Sequence, residues 1–278
     1  MNKKGHVALA AIAGSLSFYT ALHSKLWNSS HEYIGPLLIL SVGAAITGGL
    51  APDLDHKTST ASQHIQFSVQ KRRFFRLVSV LMLVVGVILL ALKLYEGDWR
   101  LSVLPAAKNA LICLVGSLIF FMLANMRNIV LSGVGITLLA MYSLYGLHWI
   151  TAFAGLGFLM LPVVKHRGII HTPEYAIVMS LGIISFSFQQ SDTVQILAIG
   201  FLTGWWAHLV GDCFGSDGIH SLIIPKLKIG LHLFSNGGTV ERWISRICWC
   251  SSLIVWVIIL TNQALPNVTF FKTLNFLQ

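Results

Sequence analysis

The chain has 278 residues, of which 55% are hydrophobic and only 10% are charged. Soluble domains carry about 25% charged residues, so this composition excludes an ordinary soluble enzyme, a disordered chain and a coiled coil. The net charge of +9 would suit a nucleic-acid binder, but the mean hydropathy of +0.74 is typical of a polytopic membrane protein. Basic residues scattered between apolar runs are what the positive-inside rule produces, so no nucleic-acid partner is expected.

Nine apolar segments approach the length of about 20 residues that a membrane-spanning helix needs. They cover residues 5–22, 34–50, 77–93, 103–124, 129–146, 147–164, 174–189, 194–211 and 247–262. Some are short, so the expected count is about nine, within a range of seven to nine. The sequence predicts an all-α, polytopic transmembrane helix bundle that forms a single integral membrane domain over residues 1–278. The first segment resembles a signal peptide, but no soluble domain follows it, so we expect an uncleaved helix.

Basic residues are divided unequally between the two sides of this bundle. With the N-terminus placed inside because of Lys3 and Lys4, 14 Lys and Arg residues fall on the inner side and 4 on the outer side. This asymmetry supports nine spans and a cytoplasmic N-terminus. The four cysteines lie in or beside apolar stretches without a CxxC pair, so neither a disulfide framework nor a zinc finger is expected.

The same topology collects most of the ionisable side chains at the inner face. Ionisable groups near membrane depth are costly and usually functional, so their convergence from several helix ends predicts one assembled site. The histidines on this face are His6, His56, His64, His166, His171, His208, His220 and His232, and the acids are Asp53, Asp55, Glu174, Asp212, Asp217 and Glu241.

The first patch is Gly-Leu-Ala-Pro-Asp-Leu-Asp-His at residues 49–56. Asp53 and Asp55 alternate in a segment that we expect to be extended, so both carboxylates can point the same way. Together with His56 they offer oxygen and nitrogen ligands that suit a divalent metal. The alternative is a helix terminus with solvated aspartates.

The second patch covers residues 165–173 and holds His166, Arg167 and His171. Thr172 is placed to cap the next helix, and Pro173 suits the first turn of that helix. Two histidines and an arginine on so short a connection can meet one ligand from two sides. The alternative is a pair of histidines at the membrane interface.

The third patch is His208 with Asp212, which lie on one helical face because they are four residues apart. Gly200 and Gly204 continue this face and allow a neighbouring helix to approach closely. The alternative is a simple His–Asp hydrogen bond between helices. His6, at the inner end of the first span, can reach the same cluster or lie at the interface.

Taken in chain order, these elements resemble the YdjM-like family of membrane-bound metal-dependent hydrolases, also described as LexA-binding inner-membrane proteins. The elements are Gly5-His6, residues 49–56, residues 166–172, His208 with Asp212, and residues 217–225. They cover residues 1–225, whereas residues 226–278 hold a basic loop, the last helix and a tail. The resemblance implies an integral protein of the bacterial cytoplasmic (inner) membrane with a divalent metal and hydrolase activity.

The sequence offers six candidate metal ligands. This number exceeds the three protein ligands of a typical catalytic zinc and suits two ions. Zinc is the favoured metal, with manganese or iron as alternatives. We expect catalytic roles for three further residues, Asp55, His166 and Arg167. The candidate ligands are His6, Asp53, His56, His171, His208 and Asp212.

Charge then constrains the substrate. Two divalent ions with three aspartates leave a net charge of about +1, to which Arg167 adds, and such a site suits phosphoryl oxygens. The expected substrate is a membrane lipid or another membrane-borne phosphoester, hydrolysed by water that a metal has made acidic. The alternatives are a non-catalytic metal-binding module that docks a cytoplasmic partner and, from a third class, a transporter.

Overall fold

The computed structural model of the chain describes residues 1–23, 34–56, 60–95, 105–164, 168–216, 218–224 and 227–261. These residues are predominantly helical, with two short 3-10 turns at Pro52–Asp55 and Ile169–His171. The strands β1 (Ile219–His220) and β2 (Lys228–Ile229) form a small antiparallel pair. The helices are α1 (Lys3–His23), α2 (Ile34–Leu50), α3 (Thr60–His64), α4 (Val69–Tyr95), α5 (Pro105–Ala124), α6 (Met126–Tyr145), α7 (Trp149–Met160), α8 (Pro173–Ser187), α9 (Asp192–Phe214) and α10 (Thr239–Leu260).

Every predicted span coincides with a helix in the described part of the chain. Five helices, α1, α4, α6, α9 and α10, are long and apolar enough to cross a membrane, whereas α2, α7, α8 and the stretch Lys108–Ala124 of α5 are shorter apolar helices. The prediction of an all-α membrane bundle is therefore confirmed. The short helix α3 lies in the basic loop between the second and third predicted spans, where we expected no helix.

The chain divides into two compact units. The first unit holds residues 1–55, 147–153 and 164–278, and the second holds residues 56–146 and 154–163. The assignment of residues 1–278 to one integral membrane domain stays a prediction.

The core of the first unit lies where α1 and α2 pack with α9 and α10. Phe18 from α1, Leu38 from α2 and Ile196 from α9 are almost completely buried there, and Val255 and Ile259 add the face of α10. Ser15 Oγ lies 2.8 Å from Ser252 Oγ and accepts a hydrogen bond from Trp256 Nε1, so α1 and α10 are also joined by polar contacts.

Helices α2 and α9 approach each other along a line of small residues, as the sequence predicts. A Cβ atom at Gly204 would overlap the carbonyl oxygen of Ala45, and one at Gly200 would lie 2.5 Å from the carbonyl oxygen of Ser41. A Cβ at Gly48 of α2 would in turn overlap the carbonyl oxygen of Phe201. Because His208 follows on the same face of α9, this close approach brings it against the end of α2.

Replacing Gly204 with alanine is expected to lower the free energy of unfolding by about 1–3 kcal/mol, because backbone atoms must move to admit the methyl group. Thermal unfolding of the detergent-solubilised protein measures this loss. Gly43→Ala on α2 is the matched control, since a Cβ there meets nothing within 4 Å. The control is expected to be neutral or to stabilise α2 by up to about 1 kcal/mol, because alanine favours helix. Equal melting temperatures for both variants would contradict the proposed close packing.

In the second unit, α4 packs along α5. Two buried serines join these helices reciprocally: Ser79 Oγ donates to the carbonyl oxygen of Ser117 at 2.9 Å, and Ser117 Oγ donates back at 2.8 Å. Much of the remaining surface of α4 is exposed leucine and valine. Such a surface is stable in hydrocarbon and not in water, which agrees with a membrane span.

Candidate metal centre

His208 lies at the centre of a buried cluster in the first unit. It is 0% exposed, and its Nδ1 donates a hydrogen bond of 2.6 Å to the carbonyl oxygen of Gly49. This bond places the proton of a neutral imidazole on Nδ1 and leaves the lone pair of Nε2 available. A histidine held in this way by a backbone carbonyl has the orientation and tautomer of a metal ligand.

Asp212 lies one turn after His208 on α9 and connects it to α1. Its Oδ2 is 3.5 Å from His208 Nε2, and its Oδ1 is 3.3 Å from His6 Nε2. The nitrogen of Met1 lies 2.8 Å from the same Oδ1. The rings of His6 and His208 stack with their centroids 3.8 Å apart. The carboxylate of Asp212 thus joins two imidazoles, one at each oxygen.

The two 3-10 turns bring three further side chains to this cluster. His171 Nε2 lies 3.3 Å from His208 Nε2 and 3.9 Å from Asp53 Oδ1. On the other side of the ring, His171 Nδ1 lies 3.2 Å from Asp55 Oδ2. The expectation of an extended segment at residues 49–56 is wrong, because residues 52–55 form a 3-10 turn that starts at Pro52. The two aspartates therefore contact opposite edges of one imidazole.

The carboxylates and imidazoles of this cluster shift the pKa of two residues in the 3-10 turns, His171 and Asp53. Burial by itself lowers the pKa of His171, but Asp53 and Asp55 outweigh burial and raise its pKa to about 9. Burial by itself raises the pKa of Asp53, but the neighbouring histidines His171, His208 and His6 together outweigh it and hold that pKa below its ordinary value. At neutral pH and without a metal, a proton on His171 thus faces the ring of His208.

The local sequence explains how His171 is held. Thr172 is the N-cap of α8: its side chain accepts a hydrogen bond from the backbone nitrogen of Tyr175, and Pro173 occupies the first turn. The predicted cap is confirmed. His171 directly precedes this cap and is 2% exposed, so the start of α8 fixes its position.

Two groups of donors are close enough to hold a metal ion. One consists of His6, His208 and Asp212, and the other of Asp53, His171 and His208, with the donor atoms of each group within 4.8 Å of one another. Zinc bonds of about 2.0–2.1 Å place tetrahedral donors about 3.4 Å apart, and the contacts of His208 Nε2 with His171 and Asp212 have this spacing. His6 Nδ1 is a buried nitrogen without a hydrogen-bond partner. The mixed nitrogen and oxygen donors therefore fit a divalent metal.

The remaining predicted site residues lie in different places. Asp55 is buried, contacts His171 Nδ1 and is in neither donor group. His56 is half-buried after the first 3-10 turn, belongs to the second unit and is in neither donor group. His166 and Arg167 lie outside the described residues.

Two elements of the site have no separate signal in the sequence. The first is the carbonyl oxygen of Gly49, since a backbone acceptor is available at every residue. The second is Glu241, whose buried carboxylate accepts hydrogen bonds from the backbone nitrogens of Asn2 and Gly237 at 2.8 and 2.7 Å. It fixes the start of α1 one turn before His6. Glu241 falls among the inner acids, but its contact with residue 2 depends on the tertiary structure.

Comparison with known proteins agrees with the motif pattern. The family described as YdjM inner membrane protein matches residues 1–267, which extends beyond the motifs and past the end of α10. No curated protein and no solved structure matches the chain. With its apolar helices, the match identifies an integral inner-membrane protein. The ordered motifs and this match lead to one conclusion: the chain belongs to the YdjM inner membrane protein family.

Proposed function

We propose that this protein is a metal-dependent hydrolase of the inner membrane that cleaves a phosphoester, with a lipid as the favoured substrate. One observation carries the proposal: two groups of nitrogen and oxygen donors share the buried His208. Taken one at a time, because the single free lone pair of His208 Nε2 binds one ion, each group supplies three protein ligands, the number that catalytic zinc sites use while keeping a position for water or substrate. A structural site closes that position with a fourth ligand.

Each side chain has a distinct part in this proposal. Asp53, His171 and His208 would hold one divalent ion, for which zinc is favoured and manganese or iron are alternatives. A bound ion supplies Lewis acidity toward a phosphoryl oxygen and acidifies water. Since His208 Nε2 would bind that ion, His6 and Asp212 would hold a second ion; with a single ion, Asp212 would accept the proton of the attacking water.

The direction of substrate entry follows from exposure. The Asp53 side chain is 26% exposed, whereas those of His171, His208 and Asp212 are at most 3% exposed. The cluster is therefore open past Asp53 and closed behind His208 by α2 and α9. Asp55 would act by orienting His171, since it contacts the nitrogen that faces away from the donors.

An apolar groove supports a lipid as the substrate. Helices α1 and α8 both pack on α9, and the groove between them has a volume of about 630 Å³. It runs from Leu9 to Thr20 along α1 and from Val210 to Ile199 along α9. At a rise of 1.5 Å per residue each path is about 16 Å long, close to half of the roughly 30 Å hydrocarbon core. The groove thus has the length of one leaflet.

The hydroxyl groups that line this groove donate hydrogen bonds to backbone carbonyl oxygens of their own helices. Ser17 donates to the carbonyl oxygen of Gly14 at 3.0 Å, Thr203 to that of Gly200 at 2.9 Å, and Ser180 to that of Ala176 at 2.7 Å. The surface that remains suits an acyl chain rather than a polar headgroup. A Cβ atom at Gly211 would lie 3.2 Å from Leu9 and 3.5 Å from His6, so the groove ends beside the donor cluster. A lipid chain in the groove would place its head near that cluster.

We also propose that all nine apolar helices enter the membrane with the N-terminus in the cytoplasm. The unequal distribution of Lys and Arg between the two sides supports this orientation. Helices α2, α7 and α8 are shorter than a full span, which suits helices that pack within a bundle beside longer neighbours. The donor cluster would then open toward the cytoplasm.

Hydrolysis is tested with the full chain in vesicles of phosphatidylethanolamine and phosphatidylglycerol loaded with zinc or manganese. Mass spectrometry of the lipids would follow release of diacylglycerol or of a phosphorylated headgroup. Asp212→Asn keeps the shape of the side chain but removes its charge, and we expect it to lower the rate at least about a thousandfold. Full activity of this variant would contradict the site, and metal binding without hydrolysis of any phosphoester would favour the non-catalytic module.

The groove is tested in the same assay with Ala13→Trp, because an indole at this position fills it. We expect about tenfold slower lipid hydrolysis, since roughly two methylene groups lose their contact. Ala91→Trp on α4 is the matched control, because Ala91 is exposed and does not line the groove. Equal rates for the two variants would show that the substrate chain lies elsewhere, while the metal centre would be unaffected.

A further inference from the structure

Three arginines line one pocket of the second unit. The cavity has a volume of about 80 Å³ and is bounded by Arg72, Arg76 and Arg127 together with amide side chains such as Asn125 and Asn128. None of the described residues that line it is acidic. Since about 10–15 Å³ of this kind of space holds one water, the pocket has room for a tetrahedral oxyanion.

Arg127 is almost completely buried, with an exposed fraction of only 3%. Its Nε donates to Ser62 Oγ at 3.0 Å, and its Nη1 donates to Asn128 Oδ1 at 3.2 Å. Both of these acceptors are neutral oxygens, and they orient the guanidinium. A basic residue that served only as a topology signal would be solvated, since burial of a cation is costly.

Arg72 and Arg76 bring further positive charge to the same pocket. They are four residues apart on α4 and therefore share a helical face, where like charges repel. The Nε atom of Arg72 is buried and has no hydrogen-bond partner. Three guanidinium groups around one cavity are stabilised when an anion accepts their hydrogen bonds, and their planar geometry suits the oxygens of phosphate.

The position of the pocket indicates where such an anion comes from. Arg72 and Arg76 directly precede the apolar part of α4, and Arg127 lies in the first turn of α6. Both helices are candidate membrane spans, so these arginines lie at the level where a bilayer places its headgroups. We propose that Arg72, Arg76 and Arg127 form a binding site for a phosphate group, presented by an anionic phospholipid. This site does not depend on the proposed hydrolase function.

Native mass spectrometry of the full-length protein in detergent tests the site. The protein is titrated with phosphatidylglycerol, with diacylglycerol, which lacks the phosphate, and with inorganic phosphate. Arg72→Gln is compared with Arg73→Gln, which removes the same charge from the next residue of α4. Arg73 is exposed and does not line the pocket, so it reports only the diffuse electrostatic attraction.

We expect Arg72→Gln to weaken phosphatidylglycerol binding about tenfold or more, because it removes a hydrogen bond to a charged group. Arg73→Gln should weaken it by less than about twofold, as is usual for an exposed charge. Arg127→Gln should act like Arg72→Gln, with its melting temperature checked because Arg127 also contacts Ser62.

Each arm of the titration decides a separate point. Competition by inorganic phosphate that Arg72→Gln abolishes would support the phosphate site. If phosphate bound and phosphatidylglycerol did not, the site would stand and its ligand would be a soluble phosphate. Equal weakening by Arg72→Gln and Arg73→Gln, or equal binding of diacylglycerol and phosphatidylglycerol, would overturn the proposal.

Discussion

Replacing His208 with alanine is expected to remove the bound divalent metal from the purified protein. His208 is common to both donor groups, so its loss leaves only two ligands in each. We expect the affinity to fall more than about a hundredfold, since even outer-shell partners of metal ligands contribute 10–100-fold. Asp53→Ala removes a ligand from only one group and is expected to release at most one ion.

Elemental mass spectrometry of the detergent-purified protein measures this loss directly. His23→Ala is the control, because His23 is an exposed histidine at the far end of α1. About two equivalents of metal in the wild type, of which at least one is lost in His208→Ala, would support a binuclear centre. One equivalent would restrict the ion to a single group. Wild-type metal content in His208→Ala would contradict the assignment of this cluster.

Metal affinity is expected to rise about a hundredfold between pH 7 and pH 9, because metal ligands must be deprotonated. In the metal-free protein, burial lowers the pKa of His171, but Asp53 and Asp55 outweigh burial and raise it to about 9. Below that pH a metal has to displace a proton from His171, which costs about tenfold in affinity for each pH unit. Above it, the affinity should level off.

The raised pKa of His171 also predicts how the stability of the metal-free protein depends on pH, in the opposite direction to the metal affinity. A raised pKa stabilises the folded state fully below the ordinary histidine pKa of about 6.5, and this contribution is lost as the pH rises through about 9. The melting temperature of chelator-treated protein should therefore fall between these values, whereas metal affinity rises.

Asp55→Asn separates the contribution of Asp55 from that of the other groups. The variant removes a carboxylate 3.2 Å from His171 Nδ1, so the pKa of His171 should fall and the affinity curve should level off at a lower pH. A chelator competition titration over this pH range measures both curves. An unchanged curve in Asp55→Asn would show that Asp55 does not influence His171.

The sequence predicts the helices of this protein well because the membrane imposes a simple requirement. A chain in hydrocarbon has to satisfy its backbone within each segment, so long apolar runs become helices. The nine predicted spans accordingly coincide with helices, and the close packing at Gly200 and Gly204 follows from small residues spaced four apart. His208 and Asp212 could be paired from sequence alone, since the helical period puts both on one face.

The periodicity of the sequence does not predict contacts between segments that are distant in the chain. Asp53 and Asp55 contact opposite edges of His171 because Pro52 begins a 3-10 turn instead of an extended segment. The contact of Asp55 with His171 Nδ1 depends on this turn, and the catalytic role of Asp55 stays a prediction. The arginine pocket of the second unit is another example. A run of basic residues in the sequence does not predict that Arg127 is buried or that it lines one pocket with Arg72 and Arg76.

By itself, the sequence determined the membrane character and the family, and it predicted the residues of both donor groups, because apolar length and residue chemistry are local properties. The tertiary structure decided which atoms face one another. The tautomer of His208 depends on the carbonyl oxygen of Gly49, 159 residues away in the chain. That contact exists only because the glycines of α9 let it pack against α2, and no spacing within either segment encodes the distance between them.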